Sequence, residues 1–351
     1  MRNIDGVAQN YPWGDPDSIP SILGQTPDGL PWAEWWLGTH AEGPAQFSDG
    51  GPLADESGEL PYLLKLLAAA QPLSLQTHPN AQQATAGFNR ERREGLAVED
   101  PKRLYRDPHA KPELLCALSS FDALCGFRLV AETVSLLHDL GVTALATMLD
   151  TDGLQAVVTS LYRGHIDHRA VVEECRQQQS PAAELVTRLA SQYPNDPSVV
   201  VTLLLNRVQL ERGQALFLGP GNLHAYLSGT GVEVMGASDN VIRGGLTGKV
   251  VDVDELLRIV RFEPLADPVL APIEAASGQW RYPTPDAPFE LWRFEVTDTL
   301  THTATTRELL VCTDGDSGVL HQGQAGYLAP GETVSLEGAS TVFVVTEQAE
   351  I

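Results

Sequence analysis

Two histidines, a carboxylate and an amide in this sequence have the donor atoms of a metal site. Gln76 and His78 are two positions apart in a short segment between prolines, and the pattern predicts a strand over 73–78. Side chains two positions apart share one face of a strand, so this pair can bind one ion without bending the backbone. Glu113 follows a proline at the start of an apolar run, and His224 comes just after a Gly-Pro-Gly turn. The four together form an N/O donor set suited to Zn²⁺ with an open coordination position.

Each of these residues also has an ordinary structural interpretation when it is taken alone. The Gln-x-His pair is commonly a cross-strand polar pair on a solvated face, and glutamine is an unusual zinc ligand. Lys111 and Glu113 can form a surface salt bridge, and a histidine after a tight turn is more often structural. The metal hypothesis therefore depends on the four residues meeting in the folded chain.

A second set of ionisable residues lies within a short stretch of the chain. Glu233 interrupts an apolar strand pattern over 231–235, where a carboxylate is costly unless it is paired or functional. Asp239, Arg243 and Lys249 follow in a glycine-rich loop that can hold a phosphate through backbone N–H groups and cationic side chains. The loop lacks the P-loop signature, and the sequence has neither a dinucleotide-binding G-x-G-x-x-G after a strand nor a G-x-S-x-G nucleophile elbow. A dinucleotide site and a serine hydrolase are therefore disfavoured.

The elements that must position these residues change character along the chain. Residues 1–128 are rich in Pro, Gly and Trp with short apolar runs, and a helix is predicted to follow Asn80. Apolar residues then recur at helical spacing over about 130–206, which predicts a block of four to six helices. After Arg212, short Val/Leu runs between turn residues predict strands again, apart from a short helix over 254–261.

An internal similarity links two β segments of the chain. Residues 212–221 and 322–331 share six of ten positions at an offset of 110, and the common pattern is a strand that runs into a tight turn. Antiparallel barrels repeat such units, so we predict a mainly β fold with an α insertion, built from two related barrels and a helical domain. His224 aligns with Val334, which indicates that only the first barrel keeps a site.

Composition excludes several classes of protein. The chain has 351 residues with 23 basic and 46 acidic side chains, and its net charge of −23 disfavours non-specific binding to nucleic acid or anionic membranes. No apolar run approaches the ~20 residues of a membrane span, and no signal peptide is visible at the N-terminus. The cysteines form no C-x-x-C pair, which is typical of reduced thiols in a cytoplasmic protein. They are Cys116, Cys125, Cys175 and Cys312.

Taken as a set, these motifs resemble the type I phosphomannose isomerases. The similar segments occur in the order of that family and cover 1–128 and 206–262. The helical block and the C-terminal region match only in their general pattern of apolar and turn residues. One segment is Pro-Leu-Ser-Leu-Gln-Thr-His-Pro-Asn at 72–80. The others are 10–14, 33–40 with 43–44, 60–65, 105–108 with 111–113, 123–128, 222–229, and 237–243 with 247–249.

The resemblance implies a zinc-dependent aldose–ketose isomerase that interconverts mannose 6-phosphate and fructose 6-phosphate through a cis-enediol(ate) intermediate. It also implies a catalytic domain of the cupin/jelly-roll type over 1–128 and 207–270, a helical domain over 129–206, and a cupin-like C-terminal barrel without metal over 271–351. We expect one Zn²⁺ per chain, a phosphosugar substrate and no nucleic-acid or membrane partner. We also expect a monomer in the cytoplasm.

The functional residues of that family carry over to individual positions of this chain. The implied metal ligands are Gln76, His78, Glu113 and His224. The implied substrate-binding residues are Trp13, Lys65, Ser74, Tyr226 and Lys249. The implied catalytic residues are Arg243, Glu233, Asp239 and Lys111. Either acid of that last group can be the base, and the sequence leaves the choice open.

Two departures from the family pattern concern this site. His-Ala-Lys-Pro-Glu at 109–113 replaces the usual Asn-His-Lys-Pro-Glu, so a histidine proposed to assist catalysis in some members is Ala110 here, unless His109 substitutes. Thr-Gly-Lys at 247–249 replaces the usual Thr-Pro-Lys, which is expected to loosen that loop.

Two other functions stay open from the sequence. A metal-dependent sugar-binding cupin without turnover would keep the metal ligands and lose the acid/base set, but Glu233, Asp239 and Arg243 are all present. A cupin dioxygenase typically needs a histidine-rich ligand set, which Gln76 fits poorly.

Overall fold

Strands form both ends of the chain and helices form its middle in the computed structural model, which describes residues 1–348. The last three residues of the predicted C-terminal unit, 349–351, lie outside the described residues. The elements before the helical block are β1 (Arg2–Asp5), β2 (Val7–Gln9), α1 (Ser18–Ile22), β3 (Glu34–Leu37), β4 (Gln46–Phe47), α2 (Ala54–Ser57), β5 (Tyr62–Ala69), β6 (Leu75–Thr77), α3 (Ala81–Arg93), β7 (Glu113–Ala117) and β8 (Phe121–Phe127).

The helix predicted after Asn80 is α3, and its start follows from the local sequence. The Asn80 side chain accepts a hydrogen bond from the backbone N–H of Gln83, whose side chain in turn accepts from the Asn80 N–H. This capping box satisfies two backbone donors that the first helical turn leaves free. The strand predicted over 73–78 is also present, although the ladder itself spans only β6.

The helical block contains α4 (Val130–Asp139), α5 (Thr143–Tyr162), α6 (His168–Arg176), α7 (Pro181–Gln192) and α8 (Ser198–Val201), and it ends in a 3₁₀ turn (Thr202–Leu204). Gly153, at φ +82°, breaks α5 into two helical pieces. The prediction of four to six helices over about 130–206 is confirmed. The apolar faces of these helices share one core with β-sheet residues, including Leu75, Leu124 and Ile242.

Strands resume after the helices, as the sequence pattern predicts. The remaining elements of the site-bearing sheet are β9 (Leu205–Leu210), β10 (Ala215–Leu218), β11 (His224–Gly236), β12 (Ile242–Gly245), the short helix α9 (Val253–Ile259) and β13 (Val269–Leu270). The C-terminal strands are β14 (Ile273–Ala276), β15 (Gln279–Tyr282), β16 (Phe289–Val296), β17 (Thr299–Thr303), β18 (Glu308–Gly315), β19 (Ala325–Leu328), β20 (Thr333–Glu337) and β21 (Ser340–Glu347).

One long strand, β11, organises an eleven-stranded antiparallel sheet. Its first residues pair with β6 and β8, and its later residues pair with β5 and β7. The main path of the sheet runs β13-β10-β7-β11-β5-β3-β2, and β6, β8, β9 and β12 extend it beside β11. Residues at both ends of β11 therefore face partners from strands that are distant in sequence.

A second, eight-stranded sheet contains most of the C-terminal strands. Its order is β14-β15-β16-β21-β18-β19-β1-β4, so two strands from the start of the chain complete it, and β17 pairs separately with β20. Large side chains from both sheets, such as Trp35 and Tyr62 from one and Phe289 and Tyr327 from the other, form a common core. The predicted mainly β fold with an α insertion is confirmed. Within residues 1–348 the two strand orders do not close into rings.

The two segments with internal sequence similarity have the same local structure. Each contains one short strand, β10 or β19, between two glycines with positive φ. The angles are +86° and +75° at Gly213 and Gly221, and +83° and +84° at Gly323 and Gly331. Glycine adopts this region without strain, which explains why the identical positions include these residues.

The described residues bear on two expectations from composition, one about membrane spans and one about cysteines. None of their helices combines the length and apolar character that crossing a membrane requires. All four cysteines are buried and none forms a disulfide.

A buried carboxylate ties α9 to α3 and to the segment that follows α3. Glu255 is 7% exposed and accepts hydrogen bonds from Arg258, from the Tyr105 hydroxyl and, at 3.2 Å, from Arg90. Burial alone would raise the pKa of Glu255, but the hydrogen bonds from Arg258 and Tyr105 outweigh burial and lower it to about 2.

Glu255→Gln should lower the free energy of unfolding by about 2 kcal/mol at neutral pH and by much less near pH 2. The folded-state pKa is below the ordinary value of 4.5, so ionised Glu255 stabilises the fold above that value. The stabilisation is lost as the pH falls from 4.5 towards 2. Urea unfolding across this range checks the prediction, with the exposed Glu263→Gln as control. An equal effect of Glu255→Gln at both pH extremes would contradict it.

Candidate metal centre and active site

Three predicted metal ligands meet inside the eleven-stranded sheet. His78 follows β6, Glu113 opens β7 and His224 opens β11, and one ligand atom from each lies within 4.8 Å of the others. The Glu113 carboxylate oxygens lie 3.4 Å from the Nε2 atom of His78 and 3.2 Å from that of His224. All three side chains are buried, so the donor atoms face one another and not bulk water.

The two imidazoles are oriented by backbone carbonyl groups. The Nδ1 atom of His78 lies 2.7 Å from the carbonyl oxygen of Asn240, and that of His224 lies 3.0 Å from the carbonyl oxygen of Asn222. A carbonyl oxygen can only accept, so Nδ1 carries a proton in each ring, and in the neutral ring Nε2 presents a lone pair. This is the tautomer that a metal-binding histidine needs.

The same three side chains hold buried polar atoms that no protein group satisfies. Within residues 1–348, His78 Nε2, His224 Nε2 and Glu113 Oε2 have no hydrogen-bond partner. A buried polar atom left in this way costs about 1–3 kcal/mol, and three that converge are explained by a cation between them. Two imidazoles and a carboxylate suit Zn²⁺, with room for further ligands.

The protonation states in this cluster also suit metal binding. Burial would raise the pKa of Glu113, but His78 and Lys111 hold it well below its usual range. The Lys111 ammonium lies 3.2 Å from the Glu113 carboxylate and is itself buried. Burial lowers the pKa of His78. The cluster therefore presents an ionised carboxylate and, at His78, a neutral ring.

Gln76, the fourth predicted ligand, lies beside this cluster in the sheet. It is directly opposite His224 on β11 and opposite Arg243 on β12. Its Oε1 atom accepts a hydrogen bond of 3.1 Å from the Ser74 hydroxyl. The strand pairing and this hydrogen bond thus bring Gln76 close to Ser74, a predicted substrate contact, and to Arg243, a predicted catalytic residue.

A chain of buried charges lies along β11 beyond the metal ligands. The Lys65 ammonium lies 3.1 Å from Glu233 and 3.4 Å from Glu34, and the Tyr226 hydroxyl donates to Glu233 at 3.0 Å. All four side chains are buried. The indole N–H of Trp36 donates to Glu34 at 2.6 Å. Three predicted site residues, Lys65, Glu233 and Tyr226, are therefore joined in one network, and Glu34 is an additional member of it.

Both charged groups of this contact have raised pKa values. Burial raises the pKa of Glu233, and the nearby Lys65 ammonium only partly offsets it. Burial alone would lower the pKa of Lys65, but the carboxylates of Glu34 and Glu233 raise it instead. Lys65 stays an ammonium, while Glu233 is a stronger base than an exposed glutamate.

Asp239 lies at the other side of the site and is held by two neighbours. His40 lies 3.3 Å from its carboxylate, and the Asp239 backbone N–H donates to Asp107 at 2.8 Å. The hydrogen bond from His40 lowers the pKa of Asp239. His40 has no assigned role in the sequence prediction, and its contact with a predicted catalytic residue makes it a further candidate.

Three cations border the site on the side of β12. Arg243 is half-buried on that strand, and burial, reinforced by the charge of Arg106, lowers its pKa. Lys249 is exposed in the following loop, and its pKa is lowered chiefly by Arg243. Cations that lower one another's pKa in this way repel one another, and together they attract an anion. Arg106 has no assigned role in the sequence prediction, because its neighbours Arg243 and Lys249 are far away in sequence.

The remaining predicted residues have more peripheral positions. Trp13 is half-buried, packs against the apolar cluster that contains Tyr226, and stacks with Tyr11 at a centroid distance of 5.8 Å. The His109 side chain is exposed, and its backbone carbonyl accepts hydrogen bonds from Ser238 and Asn240 in the site loop.

Comparisons with known proteins point to one family. Residues 50–130 match the model of the catalytic domain of type I phosphomannose isomerase. The mannose-6-phosphate isomerase of Escherichia coli is 33% identical over 95% of this chain and 94% of its own length. The human mannose-6-phosphate isomerase is 31% identical over 84% of this chain and 82% of its own length.

Solved structures of one enzyme agree with these matches. A mutant of phosphomannose isomerase from Salmonella typhimurium superposes with a TM-score of 0.90 at 29% identity, covering 99% of this chain and all of that one. The mannose 6-phosphate isomerase from the same organism, bound to its substrate fructose 6-phosphate and to zinc, superposes with a TM-score of 0.86 over the same share at 29% identity.

The geometry predicts that the chain binds one divalent cation, and that His224→Ala weakens Zn²⁺ binding at least about 100-fold, because it removes one of three converging donors. Titration of chelator-treated protein with Zn²⁺ measures this. His321→Ala, an exposed histidine of the C-terminal region, should bind as the wild type does. A second tightly bound ion within 275–348 would contradict the prediction of a single site.

Proposed function

Because the chain belongs to the type I phosphomannose isomerase family, we propose that it interconverts mannose 6-phosphate and fructose 6-phosphate as a zinc-dependent aldose–ketose isomerase. The observation that carries the proposal is the cluster of unsatisfied His78, Glu113 and His224 donors between a buried acid–base network and three cations. Such a site has a place for a metal ion, a base for carbon-bound protons and an anchor for a phosphate.

The metal would be held by Gln76, His78, Glu113 and His224. When bound, Zn²⁺ supplies a Lewis acid that can polarise or orient the substrate oxygens. Lys111, 3.2 Å from Glu113, restrains that carboxylate and keeps it ionised. The roles assigned to individual residues below are part of the same proposal.

Glu233 is the better candidate for the base. The reaction takes a proton from C2 of the aldose and returns it to C1, while the O2 proton moves to O1. The raised pKa of Glu233 brings its basicity nearer to neutral pH, and the contacts with Lys65 and Tyr226 fix its carboxylate. The pKa of Asp239 is lowered, so Asp239 is the weaker base, and its pair with His40 fits hydroxyl binding.

The cations have two roles, one at the reacting centre and one at the phosphate. Arg243 is half-buried opposite Gln76 and fits the negative charge that develops in the enediolate. Lys249 is exposed at the rim and fits the phosphate, with Arg106 and the Ser74 hydroxyl as further contacts. Trp13 and Tyr226 would line the sugar side. The local positive charge matters because the chain as a whole carries −23 and repels anions.

We also propose that the enzyme is a cytoplasmic monomer. The support for the compartment is the set of four buried, unpaired thiols, which is typical of a reducing environment.

A coupled assay with mannose 6-phosphate should show turnover by the wild type, and Glu233→Gln should lower kcat about 10²-fold or more, because it removes the base while keeping the side-chain shape. Glu290→Gln is the matched control, since Glu290 is also a strand glutamate with a raised pKa but is only partly buried and lies in the other sheet. Binding of substrate without turnover by the wild type would favour a sugar-binding protein instead.

Arg243→Ala should lower kcat about 10²-fold with little change in KM, because its contact strengthens in the transition state. Lys249→Ala should raise KM about 10-fold with kcat nearly kept, because the phosphate is bound equally in both states. Steady-state kinetics distinguishes the two effects, and the exposed Lys102→Ala serves as a charge-matched control. Constants near wild type for Arg243→Ala would remove it from the mechanism.

A further inference from the structure

The strand that carries Arg243 is irregular immediately after that residue. Strand β12 pairs Arg243 with Gln76 and Gly245 with Leu75, so Gly244 has no opposite residue and forms a bulge. The Gly244 carbonyl instead accepts a hydrogen bond from the hydroxyl of Tyr162, the last residue of α5. A bulge redirects the neighbouring side chain, and here a residue of the helical block satisfies the backbone group that the bulge releases.

The next peptide group is also held by the helical block. The Leu246 backbone N–H donates to the Asp196 carboxylate at 2.7 Å and to the Ser198 hydroxyl at 3.1 Å. Leu246 has φ +50°, which a residue with a branched side chain rarely adopts unless its surroundings hold it. A Cβ on Gly245 would collide with the Ser198 side chain, so only glycine allows this approach.

The groups that make these contacts are themselves fixed. The other carboxylate oxygen of Asp196 accepts from the Ser198 backbone N–H at 2.9 Å, just before α8 begins. Burial raises the pKa of Tyr162 well above its usual range, so its hydroxyl keeps its proton and remains a donor. The Leu246 side chain is 2% exposed and packs in the core of the helical block.

The hydrogen bonds from Tyr162 and to Asp196 hold the backbone between Arg243 and Lys249. Arg243 is the residue before the carbonyl that Tyr162 binds, and Lys249 lies three residues after the amide that Asp196 binds. The backbone between them is therefore fixed to the helices and not to the sheet alone. The direction of the Arg243 side chain depends on a bulge whose geometry the helical block completes.

We propose that Tyr162 and Asp196 are positioning residues for the isomerase reaction, which clamp the 244–246 backbone so that Arg243 and Lys249 meet the phosphosugar. This inference rests on the proposed function, and it assigns the helical block a part in catalysis although it contributes no residue to the predicted site. A purely structural role would stabilise the fold without acting through Arg243.

Tyr162→Phe removes one hydroxyl and keeps the ring, so it tests the clamp with little change in packing. We expect kcat/KM to fall about 5- to 10-fold, the loss typical of one hydrogen bond. In an Arg243→Ala background the same change should cost less than about 2-fold, because the residue it positions is gone. Tyr193→Phe is the matched control, since Tyr193 lines one cavity together with Tyr162 and Asp196, and its hydroxyl makes no hydrogen bond within residues 1–348.

Asp196→Ala and Asp196→Asn test the second contact. The alanine variant should raise KM more than the asparagine variant, whose side-chain oxygen still accepts from the Leu246 N–H. Hydrogen exchange of the Leu246 amide should accelerate in Asp196→Ala, and this measurement does not depend on activity. Thermal unfolding of every variant, followed by circular dichroism, checks that each is folded at the assay temperature.

The outcomes separate the clamp from the proposed function. An inactive wild type would refute the function, and the exchange of the Leu246 amide would still decide whether Asp196 holds that backbone. Equal losses for Tyr162→Phe with and without Arg243, or wild-type kinetics for Tyr162→Phe, would overturn the clamp. If Asp196→Ala fails to fold, the double-mutant cycle on Tyr162 decides alone.

Discussion

Buried donor atoms that have no protein partner are the constraint around which the site is built. Two imidazole Nε2 atoms and one carboxylate oxygen converge away from solvent, and the opposite ring nitrogens are fixed by the carbonyl groups of Asn222 and Asn240. A protein without a use for these atoms would replace them with apolar side chains, because unsatisfied polar atoms destabilise the fold. Strand β11 makes the arrangement possible, since it carries His224 at one end and Glu233 nine residues later.

Glu113 and Glu233, two buried glutamates of the site, show how neighbouring groups separate the roles of two carboxylates. Glu113 lies beside Lys111 and the two histidines, and its pKa is held well below the usual range. Glu233 lies beside Lys65, which it shares with Glu34, and its pKa is raised by burial. When their environments push two carboxyl pKa values apart, the group with the lowered pKa suits the binding of a positive charge. The group with the raised pKa suits proton transfer.

The sequence predicted what local pattern and motif can specify. The metal-ligand candidates, the helical block and the helix after Asn80 were predicted from residue types and spacing. The structure contains these helices and brings three of the four ligand candidates together. Pairings between distant strands do not leave a local signal, so the place of β1 and β4 in the C-terminal sheet was not predicted. Glu34, His40 and Arg106 were missed for the same reason, because their roles come from neighbours far away in sequence. The domain boundaries and the individual site roles remain predictions.

The position of the helical insertion explains how the fold accommodates it. The block leaves the sheet after β8 and returns in β9, and these two strands are hydrogen-bonded neighbours, so both ends of the insertion are already close together. The entropic cost of closing such a connection grows only slowly with its length. The helices recover that cost by sharing a core with Leu75, Leu223 and Ile242, which lie on or beside the strands of the site. Packing of the helices and alignment of the site strands are therefore parts of one core, and a change in either is transmitted to the other.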